Sequence, residues 1–241
     1  MLRPEGPAGT KRLGRPDVFL ESMRLFVGLV FLSLLGGCAS SPSVRALVDA
    51  GGMVLRARLA TADEPQLDAR FAYLRFERDK RVVYLALGYV DPHPQGAVEV
   101  WYSSAGEVLR LQDGRVVGSS GGETDWLTVS FTGRPHWAEV RGPVSFVRTR
   151  DVQPGYRLGL RETLTLRPIP PPDNSRLRQI PPQVLNWFEE QVTEGPERLP
   201  PARYAVHFAP GGPRVIYGEH CLSPSLCFSW QRWSATTGGA L

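Results

Sequence analysis

The feature that most constrains the fold of this chain is the alternation of apolar and polar residues over residues 156–167. One alternate set is apolar: Tyr156, Leu158, Leu160, Leu164 and Leu166. The other set is polar: Arg157, Arg161, Thr163, Thr165 and Arg167. A period of two is typical of a β-strand with one face on a core and the other in water. Glu162 is the single polar intruder on the apolar face.

Further segments with this period, or with apolar residues on both faces, predict additional strands. They cover residues 81–90, 97–103, 107–119, 127–132, 144–150, 203–208, 213–218 and 226–233. Asp113-Gly114 separates two apolar runs, and this dipeptide tolerates the positive φ that a tight hairpin turn requires. We therefore expect roughly nine to eleven strands in an all-β fold, mainly an antiparallel sandwich or open barrel, with one or two short helices.

One helix is predicted over residues 183–193. Its larger side chains recur at helical spacing, at Val184, Trp187, Phe188, Gln191 and Val192. Pro182 suits the first turn of such a helix, and Gly195-Pro196 would end it. Six prolines lie within residues 168–182. Because proline fixes φ and removes an amide donor, this stretch is predicted to be an extended connector.

The N-terminal region carries an uncharged, mainly apolar run of 11 residues at 25–35, flanked by Arg24. A membrane-spanning helix needs about 20 such residues, so the run fits the core of a signal peptide. The following Leu35-Gly36-Gly37-Cys38 resembles a bacterial lipobox. A plain cleaved signal and a short buried helix are the alternatives. Residues 1–37 are interpreted as an upstream extension and a lipoprotein signal peptide, with either Met1 or Met23 as the start.

The lipobox resemblance implies that Cys38 is acylated and begins the mature chain. Mature bacterial lipoproteins carry three acyl chains, and stable anchoring needs more than one, so the expected partner is a lipid bilayer. Residues 38–50 would then form a lipidated tether, and residues 51–241 a single β-rich periplasmic domain. Ala39 occupies the second place of the mature chain, where Asp is the usual inner-membrane retention signal. The implied location is the periplasmic face of the outer membrane.

The remaining cysteines are Cys221 and Cys227, separated by a short loop centred on Pro224. In an oxidising periplasm this pair could close a disulfide-bonded hairpin. The alternative is a zinc site with His220 as a third ligand, although zinc sites favour closer cysteines and a second ligand pair. We expect the disulfide and no metal.

The net charge and the absence of known motifs argue against nucleic-acid binding and against several classes of enzyme. The formal net charge is only +4, and no dense basic run is interleaved with aromatic residues, so nucleic acid is not an expected partner. The chain lacks P-loop, nucleophile-elbow, zinc-protease and Cys-x-x-Cys motifs. Glu189 and Glu190, adjacent on the predicted helix, would point roughly 100° apart and would make a poor acid–base pair. We expect neither a cofactor nor enzymatic activity.

Two groups of residues are candidates for contact with a glycan or a protein partner. Trp101 and Trp126 could stack on sugar rings, although tryptophan in a small β domain is more often part of the core. Arg157, Arg161 and Arg167 could attract an anionic polysaccharide. A solvated strand face is the alternative for this row.

Several short motifs together resemble the YjbF/GfcB family of lipoproteins. They are Trp101-Tyr102-Ser103-Ser104, Val108-Leu109-Arg110-Leu111, Asp113-Gly114-Arg115-Val116-Val117, Gly121, Asp125-Trp126, Arg203-Tyr204 and Trp230. The resemblance implies a mainly β outer-membrane lipoprotein encoded with capsule or exopolysaccharide export genes. The function expected from it is a non-enzymatic accessory in export or assembly of that polymer, with polysaccharide or export-machinery proteins as partners. A lipid-binding carrier of the periplasm is the alternative.

Overall fold

The structure, a computed structural model, describes residues 66–235. The signal peptide, Cys38 and the tether over 38–50 lie outside the described residues. The strands are β1 (Tyr73–Arg78), β2 (Arg81–Asp91), β3 (Val98–Tyr102), β4 (Val108–Gln112), β5 (Arg115–Ser120), β6 (Asp125–Thr132), β7 (Val144–Gln153), β8 (Arg157–Ile169), β9 (Asn186–Glu194), β10 (Ala202–Ala209), β11 (Gly212–Ser223) and β12 (Leu226–Trp233). Within this range, no helix has the length and apolar character needed to cross a membrane.

All twelve strands belong to one antiparallel sheet, in the order β5-β4-β3-β2-β1-β12-β11-β10-β9-β8-β7-β6. A short turn over residues 121–124 joins the two outermost strands, β5 and β6, so the sheet curls into a nearly closed barrel. The predicted all-β antiparallel fold is confirmed, as an open barrel and not as a sandwich. The Asp113-Gly114 hairpin is confirmed as well, with φ of 52° and 76° at the two turn residues.

The predicted helix over 183–193 is wrong: residues Asn186–Glu194 form strand β9, preceded by a single 3₁₀ turn at Pro182–Val184. Trp187 and Phe188 are both buried but lie on opposite faces of the strand. Phe188 points into the barrel, whereas Trp187 packs on its outside. Because both faces are covered, the apolar residues lose the period of two and fall at helical spacing.

The cover on the outside of β9 is the proline-rich segment, residues 170–185, which we call the outer strap. Its Leu177, Ile180 and Leu185 pack on Trp187 and on Tyr217 of β11. Polar contacts hold it in place. Gln231 of β12 accepts from the backbone N of Arg178 at 2.9 Å and donates to its carbonyl at 2.8 Å. The predicted extended connector is therefore confirmed, and it also forms a second apolar cluster.

Antiparallel pairing places successive turns at alternate ends of the barrel. One end, which we call the disulfide end, carries the turns at 79–80, 103–107, 121–124, 154–156, 195–201 and 224–225. The other, the termini end, carries the turns at 92–97, 113–114, 133–143 and 210–211, together with the start of β1 and the end of β12. Large side chains fill the interior between them, including Trp101, Trp126, Trp137 and Trp230, each with at most 1% of its surface exposed.

Candidate functional site

The barrel interior contains charged side chains as well as apolar ones. Strand β7 points Arg148 and Arg150 inward between Phe146 and Val152. Glu162 of β8 lies directly opposite Arg148 in the strand register. Its carboxylate accepts from Arg148 Nε at 2.8 Å and from Arg150 Nη2 at 2.7 Å. The polar intruder on the apolar face of β8 is thus the buried acceptor for two arginines.

A second buried pair extends this cluster toward the termini end. Arg115 Nε donates to Glu190 Oε2 at 3.0 Å, and both side chains are buried. The Arg115 guanidinium also lies 3.8 Å from the centre of the Trp137 ring, a favourable cation–π geometry. Glu189 faces the opposite side of β9 and pairs with Arg167 at 2.6 Å. The two adjacent glutamates therefore cannot act on one reacting group.

Trp126 lies at the centre of the disulfide-end half of this cluster. The guanidinium groups of Arg148 and Arg150 lie 4.7 and 4.9 Å from the centre of its ring, and His220 packs edge-on against it at 4.9 Å. Neither ring nitrogen of His220 has a hydrogen-bond partner among the described residues. Burial, and then the two arginines, holds the pKa of His220 well below its ordinary value, so the ring is neutral.

The structure corrects the interpretation of the two tryptophans as glycan contacts. Trp101 is 1% exposed and Trp126 is fully buried. Trp126 donates its indole N–H to the Leu222 carbonyl at 2.9 Å, and Trp101 donates to Glu99 at 3.2 Å. Both rings are core elements because they fill the interior of the barrel, and neither offers a face on which a sugar could stack.

The three predicted arginines are exposed, but a register shift separates them: Arg161 and Arg167 lie on the outer face of β8, whereas Arg157 lies opposite the inward-facing Val152 at the disulfide end. Arg157 pairs with Glu197 at 2.7 Å and Arg167 with Glu189 at 2.6 Å. Arg161 has no ion pair within residues 66–235. The row is thus accessible, but two of its three charges are already neutralised by acids of this chain.

Cys221 and Cys227 lie opposite each other on β11 and β12 and form a disulfide with a Cα–Cα distance of 4.0 Å. Their sulfur atoms are bonded to each other and so are not available as zinc ligands. His220 points into the barrel against Trp126, away from any second ligand pair within the described range.

A cleft of about 410 Å³ opens at the termini end of the barrel, and we call it the termini-end cleft. Turns that are distant in sequence form its walls. Its lining includes Gln95, Asp113, Arg134, His136, Arg214 and Arg232. Its volume falls within the roughly 300–1,000 Å³ typical of small-molecule sites. The side chains that line it are mostly polar or charged.

One arginine of the cleft is fully paired within the protein. Arg232 Nη2 donates to both carboxylate oxygens of Glu99 at 2.9 Å, and its Nε donates to the Val215 carbonyl at 2.8 Å. This pair ties β12 to β3 and β11. Its charges are balanced, so it forms a fixed wall of the cleft.

Arg134 and Arg214 are less well compensated. Arg134 donates to neutral oxygens only, the Gln112 Oε1 at 3.4 Å and the Gln95 carbonyl at 3.1 Å, and stands over the Phe131 ring at 5.1 Å. Arg214 has no hydrogen-bond or ion-pair partner within the described part of the chain. Burial lowers the pKa of Arg214, and the charge of Arg232 lowers it further. Burial, followed by the charge of Arg115, lowers the pKa of Arg134.

Asp113 completes the cleft at the tip of the β4–β5 hairpin. Burial raises the pKa of this carboxyl despite the nearby Arg115 and Arg134. Gly114, beside it, approaches the side chain of Val215 so closely that a Cβ at this position would overlap Val215. Together with its positive φ of 76°, this contact makes glycine necessary where the hairpin meets β11.

No sequence pattern identified this cleft in advance. Asp113-Gly114 predicts a hairpin, but Arg134 in the β6–β7 loop and Arg214 on β11 belong to no common sequence pattern. Only the closure of the barrel brings them to one opening.

No protein-family model and no curated protein matches this chain. Among solved structures, the chain is similar to the hypothetical lipoprotein YmcC from Escherichia coli K12. The two share 16% sequence identity with a TM-score of 0.50, over 80% of this chain and 95% of that chain. At this identity the likeness shows a common fold.

Proposed function

We propose that this protein is a lipoprotein, anchored through Cys38 to the periplasmic face of the outer membrane. There it assists the export or assembly of a capsule or exopolysaccharide, without catalysing a reaction. The main support is the agreement of two independent features. The chain has its own lipobox, Leu35-Gly36-Gly37-Cys38, and its barrel resembles that of a hypothetical lipoprotein.

The role in polymer export rests on the family resemblance. YmcC belongs to the YjbF family, the family suggested by the motifs around Asp113-Gly114 and Asp125-Trp126. The described residues support a binding role more than a chemical one. The interior carboxylates Glu162 and Glu190 are consumed in ion pairs with arginines, and the termini-end cleft is open and polar.

The interior also argues against the alternative of a lipid carrier. A carrier needs an apolar cavity, whereas bulky side chains and five buried charges occupy this interior. The void beside His220 measures about 10 Å³, which is the size of one water molecule. An interior filled in this way does not suit a lipid carrier.

The anchor is tested by intact-mass measurement and membrane fractionation of the native protein and its Cys38→Ser variant. We expect three acyl chains on the native protein and none on the variant, which should leave the membrane fraction. Ala39→Asp should move the protein to the inner membrane, and the matched control Ser41→Asp should leave it in the outer membrane. A native mass without acyl groups would overturn the proposed anchor.

The role in export is tested by deleting the gene and measuring polysaccharide at the cell surface and inside the envelope. We expect less polymer at the surface, restored by the native gene and not by Cys38→Ser. An unchanged amount of surface polymer in the deletion strain would overturn the proposed role.

A further inference from the structure

Among the described residues that line the termini-end cleft, three arginines face two acids, Asp113 and Glu99, which leaves an excess of positive charge. Arg232 is balanced by Glu99, but Arg134 contacts only neutral oxygens and Arg214 contacts no acid within residues 66–235. The two arginines come from the loop after β6 and from β11, and they meet at one opening. Partly desolvated cations without a counterion are electrostatically unfavourable. An anion bound between them would relieve this cost.

The other lining groups indicate which kind of anion fits. Asp113 and Glu99 also face the cleft, and they would repel a phosphate dianion more strongly than a singly charged carboxylate. Planar guanidinium groups bind carboxylates through paired hydrogen bonds. Asp113 and Gln95 add oxygen acceptors suited to hydroxyl groups. No Trp, Tyr or Phe is among the described residues that line the cleft, so recognition relies on charge and hydrogen bonds and not on stacking.

We propose that the termini-end cleft binds an acidic sugar residue, with Arg134 and Arg214 holding its carboxylate and Asp113 and Gln95 accepting hydrogen bonds from its hydroxyl groups. This proposal deepens the proposed function and rests on it for the source of the ligand, an acidic polysaccharide. The bound sugar unit would sit at the end of the barrel where the N-terminal segment enters β1.

Binding is tested by calorimetry on the full-length acylated protein in detergent, with trigalacturonic acid as the probe. We expect saturable binding that Arg214→Gln and Arg134→Gln each weaken by at least about tenfold, the usual cost of losing a charged hydrogen bond. Arg81→Gln is the matched control, because Arg81 is exposed at the start of β2, at the disulfide end, and has no ion pair within the described residues. It should leave the affinity unchanged. Arg214 is exposed, so its replacement should preserve the fold, which a thermal melt verifies.

Three further probes distinguish recognition of an acidic sugar from recognition of a neutral sugar or of a small anion. Galactotriose, which lacks the carboxylates, should not bind. Sodium acetate and inorganic phosphate, at equal concentration, should compete poorly with trigalacturonic acid. The proposal is overturned if trigalacturonic acid does not bind, if galactotriose or phosphate binds equally well, or if Arg214→Gln binds like the native protein.

Failure of this proposal can be distinguished from failure of the proposed function. If the Arg134→Gln/Arg214→Gln double variant fully restores surface polymer in the deletion strain, the cleft is not needed for export and the inference fails, while the export role stands. If deletion leaves surface polymer unchanged, the export role fails, whatever the calorimetry shows.

Discussion

Two groups of arginines in this barrel differ in how their charge is compensated. Arg148 and Arg150 are buried in the interior, and both donate to the carboxylate of Glu162. Arg134 and Arg214 lie at the termini-end cleft, where neither forms an ion pair within the described residues, although Asp113 and Glu99 also line the cleft. A fully buried charge without a partner costs several kcal/mol, whereas a charge that still reaches water costs far less. An arginine in the interior therefore needs a carboxylate partner for the fold to be stable, whereas an arginine at the cleft does not.

The difference separates structural from binding roles. An arginine that is fully buried inside the barrel is out of reach of a ligand, and removing its carboxylate partner should destabilise the fold. An arginine held by neutral oxygens at an opening can be replaced with little effect on folding. The following predictions compare the two groups, from the largest expected effect to the smallest.

Glu162→Gln should have the largest effect. Arg148 and Arg150 would lose their shared carboxylate inside the barrel, and breaking such a pair costs about 3–5 kcal/mol of unfolding free energy. Urea unfolding followed by tryptophan fluorescence measures the change. Glu194→Gln is the matched control on β9, because Glu194 is exposed and, within residues 66–235, accepts only from the Thr163 hydroxyl. Equal stability of the two variants would contradict a structural role for the buried pair.

The disulfide between Cys221 and Cys227, at the disulfide end of the barrel, should contribute less to the free energy of unfolding than the buried ion pair. Cys221 and Cys227 are 6 residues apart, and the chain-entropy model gives about 2 kcal/mol for so short a loop. The Cys221→Ala/Cys227→Ser double variant should lose this amount in urea unfolding. A reducing agent should lower the stability of the native protein by a similar amount and leave the variant unaffected. A native protein insensitive to reduction would contradict the prediction.

Lowering the pH should reduce the free energy of unfolding, because His220 is buried in its neutral form. Burial, and then Arg148 and Arg150, holds its pKa well below 6.5, so the unfolded chain binds a proton at a pH where the folded chain does not. Stability is therefore retained above about pH 6.5 and falls below it by up to about 1.4 kcal/mol per pH unit. His220→Leu should flatten this slope between pH 7.5 and 5.5, whatever its absolute stability. His207→Leu, a half-buried histidine on β10, is the control, and equal slopes for both would count against the explanation.

How well each strand could be predicted from the sequence depends on whether one or both of its faces are covered. Strand β8 could be predicted because one face is exposed to solvent and the other packs on the core, which gives an alternating pattern. Strand β9 was misread because the outer strap covers its second face, so Trp187 and Phe188 are both buried. Glu162 was visible as an intruder on an apolar face, yet its partners became identifiable only through the register of β7 and β8.

The termini-end cleft could not be predicted from the sequence. Arg134 comes from the β6–β7 loop and Arg214 from β11, and no local sequence pattern connects them. Which charges are compensated depends on the closed barrel. Arg157, Arg161 and Arg167 stand out in the sequence because they share one strand. Arg134 and Arg214 share no such pattern, because they come to one cleft only when the β10–β11 hairpin and the β6–β7 loop meet at the termini end.

Arg214→Gln should have the smallest effect on folding. Arg214 is exposed and contacts no acid in the described range, so its removal should change the unfolding free energy by less than about 0.5 kcal/mol. Relief of repulsion from Arg232 favours a small gain, one that shrinks as added salt screens the two charges. Arg161→Gln should be equally neutral but without this dependence on salt. Urea unfolding of both variants at low and high salt measures the difference. A loss comparable to that of Glu162→Gln would show that Arg214 supports the fold, and the distinction between paired interior arginines and free cleft arginines would then fail.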